Sequence, residues 1–278
     1  MSDFGLQGGG AHCLHSGYDY TTTHGTSVAT HASANTKGSW VEILSAANNI
    51  QESSELYVYF VTEGAITHAG HLIDLAVGAA SSEQVLIANM MHRTSAVNQG
   101  VSSDRWHFPI KIPAGVRISL RSQCSVGGVE FFGYIQRVPS AFSMGSGLSQ
   151  VITIGAETAD SSGTFVDSPS ANNLGSWTEM TSSLSESIKG FLTAQDPLAP
   201  SWSSNIQVTY QVGVGAAASE QIIYSGNSHV QHSGEGSNGE VSQFIPVGIV
   251  AGTRISIRSQ ASQTNGDADL DFILYGVR

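Results

Sequence analysis

Phe108-Pro109-Ile110-Lys111-Ile112-Pro113-Ala114-Gly115-Val116-Arg117-Ile118-Ser119-Leu120-Arg121-Ser122-Gln123 reads as a strand, a Pro-Ala-Gly turn and a second strand. In that second strand Ile118 and Leu120 face one way while Arg117, Ser119 and Arg121 face the other, the period of two that a half-buried strand requires. The same text returns as Ile245-Pro246-Val247-Gly248-Ile249-Val250-Ala251-Gly252-Thr253-Arg254-Ile255-Ser256-Ile257-Arg258-Ser259-Gln260, with 254 − 117 = 137. Gly38-Ser39-Trp40-Val41-Glu42-Ile43 is echoed by Gly175-Ser176-Trp177-Thr178-Glu179-Met180, and 177 − 40 is again 137. Val77 to Ile87 is echoed by Val214 to Tyr224, with 220 − 83 = 137 for the shared glutamate. A constant offset over three separated blocks marks an internal duplication. The closing strands, Glu130–Arg137 and Asp271–Arg278, match by identity at an offset of 141. That predicts four extra residues in the second copy, in the turn around Asn265-Gly266-Asp267.

The composition agrees with an all-β chain. Of 278 residues 40% are hydrophobic but only 12% charged, and glycine is plentiful at 31; that is about half the usual charged share. The formal net charge is 11 − 22 = −11, which disfavours a nucleic-acid surface, because phosphate backbones reward clustered Lys and Arg. No apolar stretch reaches the roughly 18 residues of a membrane span. The N-terminus lacks a basic region followed by an apolar run, so no signal peptide is expected, and release would need a route such as lysis. The two cysteines, Cys13 and Cys124, are expected to be reduced thiols.

Residues 1–24 read as an arm rich in Gly, His and Thr, flexible in isolation. Its histidines His12, His15 and His24, with His31 beyond it, do not have the spacing of a closed metal site. Residues 25–137 form a first domain, 138–148 a linker and 149–278 a second domain. Several short alternating strands in each copy, among them Leu56–Val61, His71–Val77 and Ile206–Val214, predict two tandem jelly-roll-like antiparallel β-sandwich domains.

Few residues suggest chemistry. There is no Gly-x-Ser-x-Gly elbow to mark a nucleophile. Glu83 and Glu220, like Glu42 and Glu179, recur at matched positions, which points to a structural task such as turn capping rather than to a glycosidase pair. His68 and His71 do not complete a metal site, and the acidic run Asp267, Asp269 and Asp271 lacks the later bidentate glutamate of a calcium loop. No cofactor and no metal are expected. Arg117, Arg121, Arg254 and Arg258 project in pairs from one face of each repeated strand. Ion pairing, on a neighbouring strand or across a subunit contact, is expected over binding of an anionic ligand. Trp40 and Trp177 are matched and read as core anchors. Trp106, His107, Trp202, Tyr224, His229 and His232 are unmatched aromatics near loops; of these Trp202, Tyr224, His229 and His232 are the candidates for stacking a sugar.

The blocks Gly-Ser-Trp-Val-Glu-Ile, Val-Gly-Ala-Ala-Ser-Ser-Glu-Gln-Val and Phe-Pro-Ile-Lys-Ile-Pro-Ala-Gly-Val-Arg-Ile resemble a β-sandwich module of virion surface proteins. That module is associated with head fibres, head spikes and decoration proteins of tailed bacteriophages and phage-derived gene transfer agents. The resemblance covers most of residues 25–278. It implies a structural, non-enzymatic protein on the particle head, made in the bacterial cytoplasm and forming a homo-oligomer (trimer or pentamer). The leader would dock on a capsid protein or another spike component, and the implied ligand is host cell-surface polysaccharide. A tail fibre or baseplate receptor-binding protein, a capsid cement protein without ligand and a capsule-degrading enzyme are the alternatives.

Overall fold

The computed structural model describes residues 14–17, 25–62, 69–94, 102–140, 148, 150–197, 206–230, 240–263 and 270–278. The first half contributes β1 (Leu14–Ser16), β2 (Thr26–Ala29), β3 (Val41–Leu44), β4 (Ser53–Thr62), β5 (Ala69–Val77), β6 (Gln84–Thr94), β7 (Ser102–Phe108), β8 (Ile118–Cys124) and β9 (Glu130–Pro139). The second contributes β10 (Val151–Ile154), β11 (Thr164–Val166), β12 (Thr178–Thr181), β13 (Gly190–Pro197), β14 (Ile206–Val214), β15 (Gln221–Val230), β16 (Glu240–Val241), β17 (Ile255–Ala261) and β18 (Leu270–Val277). Among the described residues there is no helix.

Among the described residues every strand pair is antiparallel. In the first half the sheets run β1-β9-β4-β7, with β2 also on β9, and β3-β8-β5-β6. The second half repeats this position by position: β10-β18-β13-β16, with β11 also on β18, and β12-β17-β14-β15. With β1 and β2 sharing one place, each half is the eight-position, two-sheet arrangement of a jelly roll. The left-handed backbone positions recur as well. Asn35 (φ 53°) answers Asn172 (φ 58°), and Gly115 (φ 76°) answers Gly252 (φ 82°) at the tip of the Pro-Ala-Gly turn and its counterpart. That turn does not close a hairpin. β7 pairs with β4 in one sheet and β8 with β3 and β5 in the other, so the segment between them carries the chain across the sandwich.

The closing strands correct the sequence alignment. Val28 faces Phe131 and Val166 faces Leu270, so the equivalent offset is 270 − 131 = 139, and the second copy has two extra residues rather than four. A slide of two residues keeps every side chain on its own face, so alternation alone does not reveal it. Both domain boundaries also move. Leu14–Ser16, assigned to the arm, is a strand paired to Ile135–Arg137, and Val138 and Pro139, assigned to the linker, belong to β9.

Each sandwich encloses its own apolar layer, and a third layer joins them. On β18, Leu270, Phe272 and Leu274 point into the second sandwich, whereas Ile273, Tyr275 and Val277 point out of it into the cluster centred on the first. On β13, Phe191 points inward, while Leu192 and Ala194 join the outward set. β6 closes this face: the Tyr275 hydroxyl donates to Asn89 O (2.7 Å) and accepts from Met91 N (3.0 Å). Thr153 Oγ1 donates to Ala88 O (2.5 Å). Trp106, read from sequence as a loop aromatic, is fully buried with its ring edge-on to Tyr275 at 4.8 Å.

Candidate functional site

The repeated arginines form two identical clamps. Arg117 donates through Nε to Glu42 (2.7 Å) and through Nη1 to Glu83 (2.9 Å); Arg254 does the same to Glu179 (2.6 Å) and Glu220 (2.9 Å). Each clamp ties the strand after the crossover to the edge strand beside it and to the turn that opens β6 or β15. Burial by itself would raise the Glu83 carboxyl. Backbone N–H groups at Glu83 and Ser81, with Arg117, outweigh it and hold the group below its ordinary value; Glu220 is held down the same way by the N–H groups at Glu220 and Ala218 and by Arg254. These glutamates therefore do both things, capping the turn and anchoring the arginine.

The second pair diverges. Arg121 lies over the Trp40 ring at 4.4 Å and Arg258 over Trp177 at 4.3 Å. Trp40 and Trp177 are thus half-buried lids under a guanidinium, not the core anchors expected from their recurrence. Arg121 Nε donates to Asp74 (2.9 Å), whose other oxygen accepts from Lys37 Nζ (2.8 Å). In the second copy Gln211 stands at that place and accepts from Arg258 (2.8 Å). Ser119 and Ser256 are buried beside these arginines, so the strand face that alternation leaves to solvent is covered by the Asn35–Trp40 segment and its counterpart.

Of the four sugar candidates, the described residues include His229 and Tyr224. Trp202 and His232 lie outside the described residues. His229 is on β15 opposite Gln207, beside the paired end Ile206–Val230 from which the segments carrying Trp202 and His232 depart. Tyr224 lies six residues from that end, roughly 20 Å along the strand. It is not a loop aromatic: it sits opposite Val212, half-buried, with its ring edge-on to Phe191 at 6.0 Å.

Two constellations escaped the sequence reading. At the joint between the sandwiches a cleft of about 510 Å³ is lined by Gly70, Arg93, Asp160, Ser161, Phe165 and Asp271, among others. Arg93 Nε meets Asp196 at 2.5 Å, and Arg93 Nη2 lies 3.9 Å from Asp271. Burial, then the charge of Asp196, pushes the Asp271 carboxyl up to about 7, against the pull of Arg93 and of the Gly163 N–H. Asp271 had been read as the end of an acidic loop run; the rest of that run, Asp267 and Asp269, lies outside the described residues. The second constellation is a continuous stack on the outer face of β9-β4-β7. His107 stacks on Tyr57 (4.2 Å), Arg105 lies over Tyr57 (4.7 Å) and Tyr59 (5.9 Å), and Tyr59 stacks on Tyr134 (4.5 Å). His107 and Tyr57 each lean on Glu55, at 3.4 and 3.5 Å.

His71 is buried and tilted against buried His92 at 5.8 Å; burial and that neighbour hold its pKa well below the ordinary value, so the ring is neutral. His68 and Cys13 lie outside the described residues. Cys124 is a free, buried thiol whose pKa burial raises. Among the described residues no three His, Cys, Asp or Glu side chains are placed to share a metal ion.

Strand order and pairing define the chain as a tandem jelly-roll protein. No protein-family model matches it, and no curated protein is similar to it. Among solved structures it is similar to PNGF-II in two crystal forms, at 7% and 10% identity with TM-scores of 0.41 and 0.42, covering 90% of this chain. The chain spans 65% and 64% of those chains' length. A structure of infectious bursal disease virus Gx strain is similar at 10% identity and a TM-score of 0.24, over 96% of this chain and 71% of that one.

Proposed function

We propose that the chain is a non-enzymatic display protein on the head of a phage or phage-like particle, adhesive toward host surface polysaccharide. The observation that carries this reading is the fate of the repeated charged residues. Arg117 with Glu42 and Glu83, and Arg254 with Glu179 and Glu220, satisfy one another within the chain. Groups that could have served catalysis in each copy are committed to holding the sandwich shut. The apolar joint closed by Tyr275 supports the same reading, because it couples two sandwiches into a stiff unit suited to projecting from a surface. For the adhesive part, the paired end Ile206–Val230 is the favoured location, since His229 lies beside it and the segments with Trp202 and His232 begin there.

The test is binding of purified protein to host cells with and without their capsule, alongside immunolabelling of particles. Capsule-dependent binding that is lost on Trp202→Ala or His229→Ala supports the adhesive role. Intact protein that labels the head but binds neither cell type would leave only a cement role. Because Leu14–Ser16 is part of the first sandwich, docking through the leader should be tested by deleting residues 1–12.

A further inference from the structure

Phe165, Asp271 and Asp196 form one row across β11, β18 and β13 on the outer face of the second sandwich. With 271 − 139 = 132, the counterpart row in the first sandwich is Ser27, Phe132 and Val61, which carries no charge. The two acids are therefore no shared requirement of the fold, unlike the repeated Glu83 and Glu220. Carboxylates directly opposite on neighbouring strands repel, and both of these are almost fully enclosed. Arg93, reaching over from β6, engages Asp196 through Nε at 2.5 Å. Its Nη2 stays 3.9 Å from Asp271 Oδ2, beyond hydrogen-bond reach, and that oxygen has no hydrogen-bond partner among the described residues. An enclosed carboxylate oxygen left in this way is costly to ionise, and a second cation would answer it.

The cleft at the joint, which Asp271 lines, is where such a cation can enter. One wall is the turn from Glu157 to Ser162, closed on itself by Glu157 N to Ser162 O (2.9 Å) and Ser162 N to Glu157 O (3.2 Å). The first sandwich holds this turn in place. Gln123 Nε2 donates to Thr158 O (2.6 Å) and Ser161 Oγ (3.0 Å), and Ser161 Oγ donates to Asn35 Oδ1 (2.7 Å). The turn presents Glu157 and Asp160, both exposed. Phe165, 50% exposed, supplies an aromatic surface beside Asp271. The volume of about 510 Å³ suits a small molecule, whose pockets run from about 300 to 1,000 Å³. Among the described residues Arg93 is the one basic group lining the cleft, against Glu157, Asp160 and Asp271, so an anion is a poor occupant. A metal ion is a poor one too, because these carboxyls do not converge on a shared point. An aromatic face beside carboxylates suits an organic ammonium, which meets the ring by its charge and the carboxyl oxygens by its N–H groups. Oδ2 is shut from water in the resting structure; rotation about the last, soft torsion of the side chain presents it to the cleft.

We infer that the cleft at the joint binds a primary ammonium group, of an amino sugar or of an aliphatic amine, with Asp271 as its enclosed acceptor, Asp160 as the acid at the mouth and Phe165 as the ring it packs on. The inference goes beyond the display reading and does not depend on it. Binding is coupled to a proton. The Asp271 carboxyl is faced by Arg93 from β6, by Asp196 from β13 and by Asp160 from the turn, and it keeps its proton up to about pH 7. The ammonium needs the ionised form, so affinity rises with pH through that value, by about tenfold between pH 6 and pH 8.

Isothermal titration calorimetry of the full chain tests it, with putrescine and glucosamine as the amines and glucose as the neutral control. Wild type is expected to bind an amine and not glucose. Tighter binding of glucosamine would assign the site to amino sugars, and tighter binding of putrescine to aliphatic amines. Asp271→Asn and the exposed Asp160→Asn are each expected to weaken binding at least tenfold, and Asp271→Asn to remove the difference between pH 6 and pH 8 seen with putrescine, which stays charged over that range. Neither amine binding to folded wild type, glucose binding as well as glucosamine, or Asp271→Asn binding as wild type does would overturn the inference. So would an affinity for putrescine that is the same at pH 6 and pH 8.

Discussion

Asp271→Asn should stabilise the protein at pH 8 and leave it unchanged near pH 4. The native carboxyl keeps its proton up to about pH 7, whereas the ordinary value is 3.8. Between those values the native state binds more protons than the unfolded state, so stability falls as pH rises through the window and is flat above it. The interval is 7 − 3.8 = 3.2, and at about 1.36 kcal/mol per unit the ceiling is ~4 kcal/mol. An asparagine there mimics the protonated acid, can still accept from the Gly163 N–H, and leaves Arg93 its contact with Asp196. At roughly 2–4 °C per kcal/mol for a chain of this size, the melting temperature gained at pH 8 would be up to about 8–16 °C. Circular-dichroism melts of both proteins at pH 4, 5, 6, 7 and 8 and one ionic strength measure the difference directly. If that difference is the same at every pH, or if the variant is the weaker protein at pH 8, then the ionised Asp271 is a needed partner of Arg93 and the reasoning fails.

Arg254→Lys should lower the melting temperature, since a single ammonium cannot engage Glu179 and Glu220 as the fork does; melts of this variant, Glu220→Gln and the double variant should show the two losses to be strongly non-additive. Tyr275→Phe keeps the ring but leaves Asn89 O and Met91 N unpaired in the joint, so urea unfolding should show a loss of about 2 kcal/mol. Gly163→Ala would set a methyl 2.7 Å from Phe272 O, and the crowding should cost about 1–3 kcal/mol; Gly115→Ala, with nothing within 4 Å of its methyl, should lose less in the same assay despite its φ of 76°.

Alternation and the recurrence of text were enough to read the class of fold, because both are local properties of the chain. What they left out is long-range. The same period of two describes a face open to water and a face covered by a returning segment, so Arg121 and Arg258 looked solvent-directed until Trp40 and Trp177 were found beneath them. Recurrence marked the tryptophans as structural but not as lids. Trp106 looked like a loop residue, whereas it lies on β7 opposite Val58 in the core and one of its ring partners, Tyr275, is 169 positions further on (275 − 106). Asp196 and Asp271 face each other across β13 and β18, but Arg93 reaches them only because the two sandwiches touch, and no spacing in the sequence brings the three together. The stack on the first sandwich was the nearest miss: Leu56-Tyr57-Val58-Tyr59 and Arg105-Trp106-His107 each alternate aromatic or cationic residues on the outward face, a pattern that deserved a place beside the unmatched loop aromatics.

The wall between the two sandwiches bears on how the gene can be divided. Residues 149–278 expressed alone would present Leu192, Ala194, Ile273, Tyr275 and Val277 to water, side chains that are almost fully enclosed in the whole chain. A bare apolar surface of that kind invites precipitation. The repeat in the text therefore does not mark a unit of independent solubility. Truncation mapping of this protein would score the loss of a neighbour as the loss of an activity, and point substitutions are the sounder way to take it apart.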